Sequence, residues 1–161
     1  MNGKHQVSHT REIAATRSAV WAVIADDSLL PQWVPVVETL ASVDGLGGVG
    51  TSRTCRVDFR GRTGTMTERC VDFDPQRRAG YVVVDDSLGF SRLLRDYGFT
   101  MTLDDGPVGC SLRIDTYYTP RSLVAHLMNR VFLRRQMRKT VRRIADGLKT
   151  FSEQKAGTAP R

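Results

Sequence analysis

Few side chains in this 161-residue chain combine the type and spacing that chemistry needs. Arg53 and Glu68 fall on two runs that read as neighbouring strands of one hairpin, so alternation can point both to the same side. Such a pair serves one of two ends. It pins the strand register as an ion pair, because a buried charge without a partner is costly. Alternatively, Arg53 grips a ligand carbonyl, enolate or carboxylate while Glu68 orients it, with general acid or base work by Glu68 as an extension. Tyr81, Tyr97 and Tyr118 carry hydroxyls able to donate to a bound carbonyl, although a buried tyrosine often only packs and satisfies its own hydroxyl. His126 is the only one of the three histidines in a strongly patterned element, which makes it the candidate base; a surface histidine without function is the plainer reading. Trp33, two residues before Pro35, can gate a cavity, stack on a ring or simply pack.

Other chemistries find no support. His5, His9 and His126 have no carboxylate or cysteine at ligand spacing, so neither a metal nor a cofactor is expected. Cys55, Cys70 and Cys110 lack CxxC spacing and an even count, and sit in strand-like runs where free cysteine acts as a small apolar residue. The glycine-rich stretch Gly45–Gly50 precedes a strand instead of a helix, which makes it a turn and not a phosphate loop.

The elements that must position these residues follow from periodicity. Residues 6–14 alternate weakly as a first strand. Thr16 or Ser18 can cap a short helix carrying Val20, Trp21, Val23 and Ile24. Asp26, Asp27 and Ser28 break it and can cap a second, with Pro31 in its first turn and Pro35 at its end. From Val36 to Tyr118 the period is two, giving strands near 36–44, 49–59, 63–73, 79–86, 95–104 and 109–119, separated by turns such as "RGRTG" and "DDGPVG". Short turns without intervening helices mean an antiparallel meander. Pro120 stops the last strand. A long helix over 122–151 then begins at the cap Ser122 and carries an apolar stripe from Leu123 to Phe151, broken once near Arg134. The expected fold is α+β: a curved seven-stranded antiparallel sheet, two short helices and a long C-terminal helix over a cavity. One domain over 1–152 and a disordered tail over 153–161 are expected.

Alternation also selects a cavity lining. Arg53 shares a face with Cys55 and Val57; Tyr97, Phe99 and Met101 share another; Ile114 aligns with Tyr118. With Trp33, Glu68 and Tyr81 from the walls and Leu127 and Val131 from the helix, these form the expected ligand-binding set, largely apolar as small-molecule sites are.

The stretch "IAATRSAVWAVIADDSLLPQWVPVVETL" resembles the opening of the START-like (SRPBCC) superfamily, in its polyketide cyclase/dehydrase and lipid-transport branch. The matching positions are Val20-Trp21, Asp26 and Trp33-Val34-Pro35. "GLGGVGTSRTCRV" resembles that family's Gly-x-Gly-x-x-Arg strand through Gly48, Gly50 and Arg53, and "TERCVDFDPQRRAGYVVV" a later segment through Glu68, Asp74-Pro75 and Tyr81. The resemblance spans about Val7 to Phe151. It implies a helix-grip fold whose members bind lipids, polyketides, quinones or hormones, while a minority cyclise or dehydrate.

Charge narrows the partners. Residues 1–120 hold 13 Lys/Arg against 15 Asp/Glu, and residues 121–161 hold 11 against 2, so the net +7 belongs to the C-terminal helix and its tail. That face fits a solvated surface or peripheral contact with an anionic membrane. Nucleic acid is disfavoured, since no stacking stripe or recognition motif accompanies the charge. No apolar run can span a bilayer and the N-terminus lacks a signal-like apolar core, which points to the cytoplasm. Monomer and homodimer both remain open. The leading expectation is a binder of a hydrophobic small molecule. The alternatives are a polyketide aromatase/cyclase and a toxin-like or regulatory protein acting through the basic helix.

Overall fold

The structure is a computed structural model, and it describes residues 2–157. Seven strands form one antiparallel sheet: β1 (His5–Ile13), β2 (Val37–Asp44), β3 (Ser52–Asp58), β4 (Thr63–Asp74), β5 (Arg78–Asp86), β6 (Leu94–Gly106) and β7 (Gly109–Pro120). Their spatial order is β1-β7-β6-β5-β4-β3-β2. The meander runs outward from β7 to β2, and β1 closes on β7 at the other side. The tight turn between β3 and β4 places Arg60 and Gly61 at positive φ, and Phe59 and Arg62 bond across it.

Between β1 and β2 lie α1 (Arg17–Ala25) and α2 (Leu30–Trp33), joined by a 3-10 turn over Asp27–Leu29. Thr16 caps α1 by accepting from the Ala19 N–H, and Asp26 accepts from Ser28. α1 buries Val20, Trp21, Val23 and Ile24, the four residues whose spacing marks its face. Periodicity did not reveal α3 (Phe90–Leu93), a single turn before β6 whose Phe90 and Ser91 N–H groups are held by the Asp86 carboxylate.

The C-terminal helix departs from expectation. It is not one rod over 122–151 but α4 (Leu123–Met128), a π-helical turn (Asn129–Leu133) and α5 (Arg134–Gly157). A π turn holds one more residue than an α turn, so apolar side chains before and after it cannot share a face. The break in the apolar stripe near Arg134 marks that turn. α5 supplies the apolar face that covers the sheet, burying Val141, Ala145 and Leu148, while α4 touches β7 and buries only Ala125. The tail expected to be disordered from 153 is helical to Gly157, and Glu153 bonds both Lys149 and the Ala14 N–H. Residues 158–161 of that tail lie outside the described residues.

Two close approaches seat the clamp. A Cβ built at Gly147 of α5 would fall 2.1 Å from the carbonyl oxygen of Trp33, so only glycine lets α5 meet α2 there. Gly50, at φ 94°, turns the chain into β3, a conformation other residues seldom adopt.

Candidate ligand cavity and its buried ion pair

Beneath α5 the sheet leaves a cavity of about 90 Å³. Its lining comes from every layer. β3 supplies Arg53, Cys55 and Val57; β4 Met66 and Glu68; β6 Tyr97, Phe99 and Met101; β7 Ile114 and Thr116; α2 Leu30 and Trp33; and the roof Met137, Thr140, Val141 and Ile144. Most of these groups are apolar. The volume lies below the roughly 300–1,000 Å³ of an ordinary small-molecule site, so a sizeable guest has to displace the roof or the lining. Met66, Met101 and Met137 are suited to that, because a thioether side chain repacks readily.

One end of the cavity is closed by a charged cluster. The Nε and Nη2 atoms of Arg53 lie 2.9 and 2.8 Å from one carboxylate oxygen of Glu68. Its Nη1 donates to Asp27 at 2.6 Å. The guanidinium also lies 3.9 Å from the centre of the Tyr81 ring. Arg53 is 3% exposed. Burial opposes its charge, and Glu68, Tyr81 and Asp27 more than offset that, so its pKa stands above the ordinary arginine value. The geometry is that of a buried ion pair extended to a third member by Asp27. Arg53 pairs with Glu68 directly across β3 and β4. Asp27 was missed from sequence; the only hint was a second aspartate following the one that caps the turn.

The tyrosines separate. Tyr97 lines the cavity and donates to the Met137 Sδ at 3.7 Å, a weak acceptor. Burial raises its pKa, as it raises that of Tyr81 to about 12 and Tyr118 to about 12. All three hydroxyls are therefore donors, not bases, near neutral pH. Tyr81 does not line the main cavity: it stacks on Phe99 and faces a smaller hollow of about 50 Å³ behind Arg53. Tyr118 shares the inward face of Ile114 but sits under the helix junction, where its hydroxyl donates to Asn129 at 2.7 Å. Cys55 lines the cavity as a thiol pushed up to about 11 by burial.

Besides Tyr81 and Tyr118, three further expected site residues fall outside. Leu127 and Val131 are 65% and 71% exposed, because they precede α5 and the π turn rotates them off its face. Met137, Val141 and Ile144 of the same stripe take their place. His126 is exposed, its Nδ1–H donates to the Ser122 carbonyl at 3.0 Å, and it does not line the cavity. Trp33, Arg53, Val57, Glu68, Tyr97, Phe99, Met101 and Ile114 do converge on the cavity. Trp33 adds one feature not legible in sequence: its buried Nε1 has no hydrogen-bond partner among the described residues.

A family model described as polyketide cyclase/dehydrase and lipid transport matches residues 4–153. The chain belongs to that family. Among solved structures, the fold is similar to the ZhuI aromatase/cyclase from Streptomyces sp. R1128 (20% identity, TM-score 0.79, 97% of each chain covered). It is also similar to a START superfamily protein from Mycobacterium smegmatis (17% identity, TM-score 0.73, 93% of this chain and 98% of that one). A norcoclaurine synthase from Thalictrum flavum is a further match (18% identity, TM-score 0.73, 96% and 98%). At these identities the likeness establishes the helix-grip fold alone. No curated protein matches the sequence.

Proposed function

We propose that the protein binds a hydrophobic small molecule, of lipid, polyketide or quinone-like character, in the cavity beneath α5. The observation that carries this is an apolar hollow roofed by one helix, with its charges already neutralised at one end. Within the lining, Tyr97 and Trp33 hold donors without strong acceptors, which suits a guest bearing a carbonyl or similar oxygen. Peripheral contact of the basic helix with an anionic membrane fits the same role, since apolar cargo is exchanged where apolar molecules reside. Native mass spectrometry of protein purified from its own host tests the reading. A co-purifying apolar guest is expected, absent from Ile144→Phe, whose larger ring fills the cavity from the roof. Guest-free protein that also takes up no apolar ligand on titration overturns it.

The enzymatic reading, a polyketide aromatase/cyclase, is favoured by the likeness to ZhuI. It would need Arg53 or a tyrosine at a developing enolate. Arg53 is held on two carboxylates, so the binding reading is preferred. An altered product profile on incubation with a poly-β-ketone substrate would reverse that preference.

A further inference from the structure

Where the C-terminal helical region starts, it is apolar toward water. Leu123 (89% exposed), Val124, Leu127, Met128, Val131 and Phe132 all project outward, and Ala125 is the only buried residue of α4. The segment is tethered by polar contacts instead of a packed apolar face. Tyr118 donates to Asn129, Asn129 donates to Gln6, and the Arg134 Nε donates to the Gln6 carbonyl at 2.9 Å. No Asp or Glu occurs between Asp115 and Asp146, and every Arg and Lys in that interval is exposed. Arg121, Arg130, Arg134, Arg135 and Arg138 flank the apolar cluster. Large apolar side chains bordered by unopposed arginines are the composition of a helix that lies in a bilayer interface, the first entering the acyl boundary and the second meeting headgroup phosphates. A protein partner for this surface would need a matching acidic rim; an anionic bilayer supplies negative charge and apolar depth together. The π turn joins this segment directly to Met137, Val141 and Ile144, the roof of the cavity.

Resting on the cavity as the site of an apolar guest, we propose that residues 123–133 are a docking element for anionic lipid bilayers, inserting next to the roof through which that guest passes. The apolar cluster supplies depth and the arginines supply selectivity for negative headgroups.

Sedimentation with mixed phosphatidylglycerol/phosphatidylcholine vesicles, and with pure phosphatidylcholine vesicles, tests the element. The full chain binds the mixed vesicles, weakens as salt rises, and ignores the neutral ones. The double substitution Leu127→Asp/Val131→Asp lowers affinity for the mixed vesicles by roughly tenfold or more, through two lost apolar insertions and two added negative charges. Both side chains are exposed, so its melting temperature stays that of the parent. In a Trp21→Phe background, which leaves Trp33 the sole tryptophan, quenching by N-phenyl-1-naphthylamine without vesicles reads the cavity and is unchanged by the substitution, so the two readings fail separately. The proposal is overturned if the parent ignores anionic vesicles at low salt, or if the double variant binds them as tightly. It is equally overturned if light scattering finds a dimer that the double substitution converts to monomer, for then the apolar face pairs with its own copy.

Discussion

Removing the guanidinium of Arg53 leaves Asp27 and Glu68 side by side with no counter-charge, both largely withdrawn from water. Breaking a buried pair by deleting one partner costs about 3–5 kcal/mol. For a domain of this size that corresponds to a fall in melting temperature of about 10 °C for Arg53→Ala, measured by calorimetry. A ligand-gripping arginine that was otherwise free would give little change in stability and a large one in binding, so the same variant discriminates the two roles. Tyr97 makes the opposite case. Its hydroxyl faces only a thioether, so Tyr97→Phe is expected to alter stability by less than about 1 kcal/mol. If the guest presents an oxygen there, the same substitution weakens its binding by about tenfold, read by titration with the co-purified ligand.

At the scale of elements, α5 is held by a backbone approach that no side chain can tolerate. Gly147→Ala drives a methyl against the Trp33 carbonyl, and because that neighbour is backbone, the helix has to lift. Overpacking of this kind costs about 1–3 kcal/mol. The expected outcome is a matching loss in denaturant midpoint together with faster hydrogen exchange along α5, while the amides of β6 and β7 stay protected. The strands were legible because a half-buried antiparallel sheet writes its alternation into the sequence: Thr51, Arg53, Cys55 and Val57 all turn inward as their spacing requires. The long helix was legible in extent and not in continuity. A single extra residue in the π turn changes the phase of everything before it, and a stripe with one gap does not say which side of the gap touches the sheet. Leu127 and Val131 were misplaced for that reason. The Asp27–Arg53 bond was hidden for another: it joins a loop to a strand 26 positions away, a contact that local periodicity does not encode.

For the whole molecule, burial of neutral tyrosines sets an alkaline limit on the fold. Tyr81 and Tyr118 hold their protons up to about 12, raised mainly by burial and opposed by Arg53 and Arg134 respectively. In the unfolded chain a tyrosine ionises near 10. Below about pH 10 both states keep the proton and the contribution to stability is complete. Above it the unfolded chain binds fewer protons than the folded one, so stability falls as pH rises and the loss is complete once the folded hydroxyls ionise near 12. Two units for each of two tyrosines amount to about 5 kcal/mol, comparable with the net stability of a small domain. Urea unfolding between pH 8 and pH 12 is therefore expected to show a midpoint that declines gently above about pH 8.5, where unfolded thiols ionise while buried Cys55 holds its proton to about 11, and more steeply above about pH 10 as the tyrosines join. With Tyr97 raised by burial as well, Tyr118→Phe is expected to remove about a third of the tyrosine part of that decline while costing its bond to Asn129 at every pH. A midpoint that falls with the same slope in parent and variant would mean that the junction beneath α4 already admits water, and that the roof of the cavity opens without unfolding.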